Sequence, residues 1–449
     1  MTLCSNMSEG NVSFFARSSP EENIISDLKT PQLTRVVSPV LATPNLQTSL
    51  LGTLLPEITH LAPATSIMAN FRFGEVSSLL QLNPVVLINA APPLGALADF
   101  TGTWTGNGFN TIFRPNSPQS PTAFPNPVTA PPPPSVSDNV LELNLTSETL
   151  SFSASLGAVP NRGSVQGDAT LNGVPYLQSI NDITIAGQSI GIHLEPGLWM
   201  AVPSTIDPRE GPTLTRMASI PHGTTIAAQG TSTTFAGKPT IAPVDMTPFP
   251  TAGGPKIRFA SQTAATKTTP RIPQDLTPWI TAGTITQAML DDPNTVLRNH
   301  IAGQTITETT VITISTTPAA PVFGGGTDNI AFLLGDPAAA NPNAQTTLMT
   351  ATFWIETVQH TLHIPIFTPG HPPLTLETTA PAVPGQPVRR FLVSPPHAIL
   401  APRTITFMTK QIQYSQTVML NFKGLTWPHV SVATLIPAGP GLVPPTAWN

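Results

Sequence analysis

The sequence predicts an all-β protein: an antiparallel barrel of about ten strands, with long Pro/Thr-rich loops and one inserted helix. Three observations predict it. The 449-residue chain contains 53 prolines, and proline removes a backbone donor and clashes inside helices. Only 10% of residues are charged, against about 25% in ordinary soluble domains, so the usual Lys/Glu helix formers are scarce. About ten segments rich in Thr, Val and Ile alternate polar and apolar residues with hardly a helix between them, the pattern of half-buried strands. A closed antiparallel sheet of that size turns alternate side chains inward and can hold one ligand.

Along the chain, residues 1–90 read as an extension with short apolar helices at 46–58 and 75–82. From 91 to 437 the pattern is that of the barrel. Residues 98–115 read as its first strand, and 115–138 as a loop too proline-dense for regular structure. Residues 139–157 read as a strand pair or one long bent strand, followed by strands at 181–194, 198–203, 213–220 and 224–229. A large insertion covers 236–345. Its first part, 236–282, is a Pro/Thr-rich loop, and 284–304 is the best helix in the chain, with Gly303 after it as a cap. Strands follow at 305–316, 329–335, 346–367, 403–422 and 429–435, and 438–449 is a C-terminal tail.

The composition also excludes functions. A net charge of −5 spread along the chain gives no basic surface for nucleic acid. The single cysteine, Cys4, forbids a disulfide framework or a cysteine-built metal site. No secretory signal is seen, and no apolar run reaches the ~18 residues that span a bilayer. A soluble, cytoplasmic protein is the expectation.

Most candidate motifs read blandly. "GQSIG" (187–191) has the spacing of a nucleophile elbow but is followed by a strand and turn pattern, not a helix, so it reads as a turn. His360 and His363 lie three apart on one strand and project to opposite faces, while His371 and His397 sit in proline-rich loops. Four other segments remain. "GTWTGNG" (102–108) surrounds Trp104 with glycines. "HLEPGLW" (193–199) puts His193 and Glu195 on one strand face, ahead of Trp199 and Met200. "ASIPHGTTIAAQG" (218–230) puts His222 at a break between strands, and "TWPH" (426–429) puts Pro428 and His429 on the last strand.

Taken in order, these segments resemble the nitrobindin-like heme-binding β-barrels, relatives of the lipocalins and fatty-acid-binding proteins. The resemblance covers about a tenth of the chain. It implies heme b bound in the barrel, with His429 as the proximal iron ligand and Trp104, Trp199, Met200 and Pro428 around the porphyrin. Given heme, an open distal face would bind nitric oxide or isomerise peroxynitrite. A distal base with a nearby cation would instead cleave hydrogen peroxide, as in a peroxidase or peroxygenase acting on an apolar organic substrate. His193 and His222 are the candidate bases, and Arg114 and Arg216 the candidate cations. Without heme, the same barrel would be a lipocalin-like carrier or a cyclase of apolar small molecules, its histidines placed to polarise the substrate. A surface protein without any pocket is the third class.

Overall fold

The computed structural model describes residues 90–116, 121–128, 139–162, 167–206, 209–221, 224–317, 344–378 and 388–448. Ten strands form the body: β1 (Gly102–Pro115), β2 (Asn139–Phe152), β3 (Ala169–Asp182), β4 (Ile190–Val202), β5 (Thr213–Ile220), β6 (Thr224–Ala236), β7 (Ile306–Ser315), β8 (Gln345–Ile364), β9 (Arg403–Phe422) and β10 (Leu425–Pro437). Each pairs antiparallel with the next, and β10 returns to β1, with Trp104 opposite Pro437 and Asn110 opposite Ser431. The sheet is therefore a closed ten-stranded antiparallel barrel, as the strand count predicts. The expected extension helices (46–58, 75–82), the strand at 329–335 and His222 lie outside the described residues.

Period-2 alternation sorts the side chains. Trp104, Leu150, Tyr176, Trp199, Leu214, Ile312, Phe353, Tyr414 and Leu435 share one interior cluster. One end of the barrel is plugged. The 3-10 turn Gly95–Asp99 sends Leu97 and Phe100 into that cluster, where the Phe100 ring stacks on Phe152 at 4.6 Å. At the other end β1 gives way to β2 and β9 to β10, and the inward residues Gln416, Val418, His429 and Ser431 are only half-buried.

The 236–305 insertion is an ordered layer over the outer face. Ile241, Met246, Leu276, Ile285, Leu290 and Leu297 pack on Phe109, Phe113, Leu143, Trp427, Val430 and Val432. A Pro/Thr-rich stretch has many carbonyls and few N–H groups, and one side chain gathers them. Fully buried Arg271 donates to the carbonyls of Ser261, Thr263, Ala264, Thr266, Pro273 and Gln274. The helix expected at 284–304 is two short ones, because Pro293 lacks the N–H needed to continue the first. With the one before them the helices are α1 (Thr277–Ala282), α2 (Gln287–Asp291) and α3 (Thr295–His300).

Beyond the plugged end, the long strands β8 and β9 carry an annex. The strands Leu374–Glu377, Arg390–Val393 and Gly441–Leu442 make a small sheet whose Phe391 packs with Ile364, Ile405 and Phe407. The expected tail thus contributes a strand, and a buried Trp448. Among the described residues, no helix is long and apolar enough to cross a membrane.

Candidate functional site

Beneath the half-exposed end, the interior changes from apolar to ionisable. Arg216 on β5 is 2% exposed and Glu195 on β4 is fully buried. Arg216 Nη2 donates to Glu195 Oε1 at 2.6 Å, its Nε to the Tyr176 hydroxyl at 2.8 Å and its Nη1 to Gln416 Oε1 at 2.8 Å. The guanidinium also lies 5.5–5.8 Å from the ring centroids of Tyr176, Trp199 and Phe353, cation–π distances. Tyr176 donates its hydroxyl to Glu195. His193 Nε2 sits 3.1 Å from the other oxygen of Glu195, its side chain 18% exposed, so it is the edge of this group that meets solvent.

A second carboxyl lies two strands along the barrel wall from the first, with Gln178 on the strand between them. Glu148 on β2 is 3% exposed and accepts from the Tyr414 hydroxyl at 2.7 Å, from Thr146 at 3.1 Å and from Gln178 at 3.4 Å. Tyr414 reaches it from β9 across β10 and β1, because the inward residues between are small: Ala433, Gly106 and Gly108. The chain has only two tyrosines, and each donates to one of these carboxyls. Gly197 is needed for the first of them. A Cβ there would fall 2.4 Å from Tyr176 Cζ.

The two carboxyls are driven apart in proton affinity. Burial raises Glu148 to about 7, against the opposing pull of Tyr414, Thr146, Gln178 and His193. Burial would raise Glu195 too, but Arg216, His193 and Tyr176 outweigh it and hold the group at about 2. One carboxyl thus stays ionised while its neighbour carries a proton through much of the neutral range, an arrangement found where acid and base roles are divided.

The residues expected around a porphyrin are not brought together. His429 does project inward at the half-exposed end, but Asn110 donates its amide to His429 Nε2 at 2.8 Å and to Ser431 at 2.8 Å. Trp104 lies opposite Pro437, eight residues further along β10, about 27 Å at the usual strand rise. It is buried against the plugged end, its Nε1 donating to the Thr101 carbonyl. Trp199 lies under Arg216. Met200 and Pro428 neighbour inward residues and so face outward, both buried. Arg114, at the half-exposed end, is paired with Glu142. These residues do not fit heme as a set: Trp104 and His429 stand at opposite ends of the barrel, and the interior between them is filled by Tyr414, Phe353 and the Arg216–Glu195 pair. Among the described residues, no three His, Cys, Asp or Glu side chains converge to hold a metal ion.

Of the expected catalytic set, His193 and Arg216 share one network through Glu195, and Arg114 stands apart. Glu148, Tyr176, Gln178 and Tyr414 escaped sequence reasoning. The scarcity of tyrosine was the available signal: Tyr414 stands inside the strand expected at 403–422, while Tyr176 falls between the strands expected at 139–157 and 181–194. Met200 lines a different feature, an apolar groove of about 780 Å³ on the outer face of β4–β6 with Leu156, Leu171, Leu198, Met217 and Ala227. No protein-family model, curated protein or solved structure matches the chain.

Proposed function

We propose that this barrel works without heme, binding an apolar small molecule at its half-exposed end and exchanging a proton with it, as a cyclase or isomerase does. The observation that carries this reading is the pair of buried carboxyls with opposite proton affinities, Glu148 and Glu195, with His193 at the solvent edge. Barrel mouths are common ligand sites, and perturbed ionisable groups cluster where chemistry is done. Glu195, fixed by Arg216, orients His193, which takes a proton from the ligand. The proton-bearing Glu148 group supplies one through the Tyr414 hydroxyl. The net reaction moves a hydrogen within the ligand; His193 then returns its proton to water, and Glu148 takes one back from water through Tyr414.

The experiment is equilibrium binding of the neutral fluorescent probe 1-N-phenylnaphthylamine. We expect one site per chain, weakened at least tenfold by His193→Trp, which fills the mouth, and unchanged by Met217→Glu in the outer groove. Binding lost only in Met217→Glu, or no binding at all, contradicts the reading. Heme keeps one supporting feature, the inward imidazole of His429 on the last strand.

A further inference from the structure

A second buried polar cluster lies on the outer face of β8–β10, away from the barrel interior. Its members come from separate parts of the chain: His300 at the end of α3, Gln304 in the turn after it, His360 on β8, Gln411 on β9 and Arg389 just before the annex strand Arg390–Val393. With Thr434 and Ile436 they enclose a cavity of about 30 Å³, room for one occupant of about the size of a water molecule.

The cavity wall is rich in donors and carries a positive charge. Arg389 is 8% exposed, and one of its terminal nitrogens donates to the Lys410 carbonyl. Its Nε–H is buried without a partner. Among the described residues it has no carboxylate within ion-pair distance. Burial lowers Arg389 only to about 10, so it remains a cation at neutral pH. Burial holds both imidazoles at about 4, Arg389 adding to the effect at His360, so each is neutral and carries one N–H. Their ring nitrogens contact Thr434 (His300 Nδ1, 2.7 Å) and Thr409 (His360 Nε2, 2.8 Å). Gln304 accepts from Gln411 Nε2 on its carbonyl oxygen at 2.8 Å, so its NH2 end is the donor. The acidic neighbour, Glu356, meets the cluster through Gln411 at 2.6 Å, and burial raises its carboxyl to about 7. Its second oxygen is buried and unpartnered.

We propose that this cavity binds one small monovalent anion, chloride or an ion of similar size, against Arg389 Nε–H. A water molecule would satisfy that donor but leave the guanidinium uncompensated, and an unpaired buried charge is costly. An anion satisfies both, and pins the annex to the barrel wall and to α3.

Bromide replaces chloride and scatters anomalously, so the test uses crystals of the full chain soaked in sodium bromide. We expect an anomalous peak within hydrogen-bond reach of Arg389 Nε. Water density there without an anomalous peak overturns the proposal. In solution, the thermal midpoint should rise by a few degrees when sodium gluconate is replaced by sodium chloride at equal ionic strength, by mass action on the folded state. Arg389→Met should abolish that rise. A rise that persists in Arg389→Met places the chloride effect elsewhere and overturns the assignment. If Arg389→Met fails to fold, the bromide peak in the natural chain still decides.

Discussion

The barrel interior and the annex side each bury a guanidinium, and they treat it differently. Arg216 has a carboxylate at 2.6 Å, a phenol, an amide oxygen and three aromatic faces around it. Arg389 has one backbone carbonyl and an orphaned Nε. Arg271 shows a third solution, a cage of carbonyls with the Asp275 charge acting on it without an ion pair among the described residues. The comparison separates a completed electrostatic unit from an unfinished one. Inside the barrel the charges are matched and can be tuned against each other. On the annex side the matching group has to come from outside the chain.

The largest effect should come from breaking the completed pair. Glu195→Ala strands Arg216 in the interior, and we expect a loss of about 3–5 kcal/mol in urea unfolding. The double variant Glu195→Met with Arg216→Met should recover most of it, since both charges then leave together. A double variant as unstable as the single one would mean that the pair itself, and not the stranded charge, holds the barrel.

Glu148 sharpens the comparison through pH. Its carboxyl is raised from 4.5 to about 7 in the fold, so the folded state binds more protons than the unfolded chain between those values. Stability therefore falls as pH rises from about 4.5 through 7. Relative to the natural chain, Glu148→Gln should become more stable across that window by roughly 3 kcal/mol. His300 and His360 act with the opposite sign: neutral in the fold, held at about 4, they lose stabilising effect as pH falls from about 6.5 towards 4. Denaturation midpoints of the two chains measured from pH 4 to 8 would show both slopes, and parallel curves would contradict the assignment for Glu148.

A smaller loss, about 1–3 kcal/mol, is expected for Gly197→Ala, whose Cβ would displace the Tyr176 ring. Tyr176→Phe combined with it should not relieve the clash, because the contact is with the ring. The smallest effect belongs to Arg389→Met in chloride-free buffer. One net hydrogen bond is lost, about 1 kcal/mol, and removal of the unpaired buried charge offsets it.

Much of the barrel was legible because period-2 alternation survives even in a proline-rich chain. The exceptions are β3, Ala169–Asp182, where Gly173 and Pro175 argue against a strand, and β4, Ile190–Val202, which the sequence splits into strands at 181–194 and 198–203 across the Pro196–Gly197 turn signal. In β3 the missing N–H of Pro175 costs no ladder bond that the barrel needs, and its carbonyl accepts from Ser153 instead. The insertion's order was not legible, since the carbonyl cage of Arg271 joins residues by conformation and not by pattern. The site was half legible. His193, Glu195 and Arg216 stood in readable strands, whereas Glu148 and Tyr414 meet only because three small residues on two intervening strands clear the way. Motif order along the chain placed Trp104 and His429 together, although their paired strands put them at opposite ends of the barrel. Adjacent Trp199 and Met200 likewise part to opposite faces of one strand.

The most direct test of the central claim is a hemin titration of the purified full chain, followed by visible absorption and repeated with His429→Ala. We expect no stoichiometric Soret band that depends on His429, so that the natural chain and the variant give superimposable spectra. A one-to-one Soret band in the natural chain, lost in His429→Ala and kept in His193→Ala, would contradict it and return the open end of the barrel to iron.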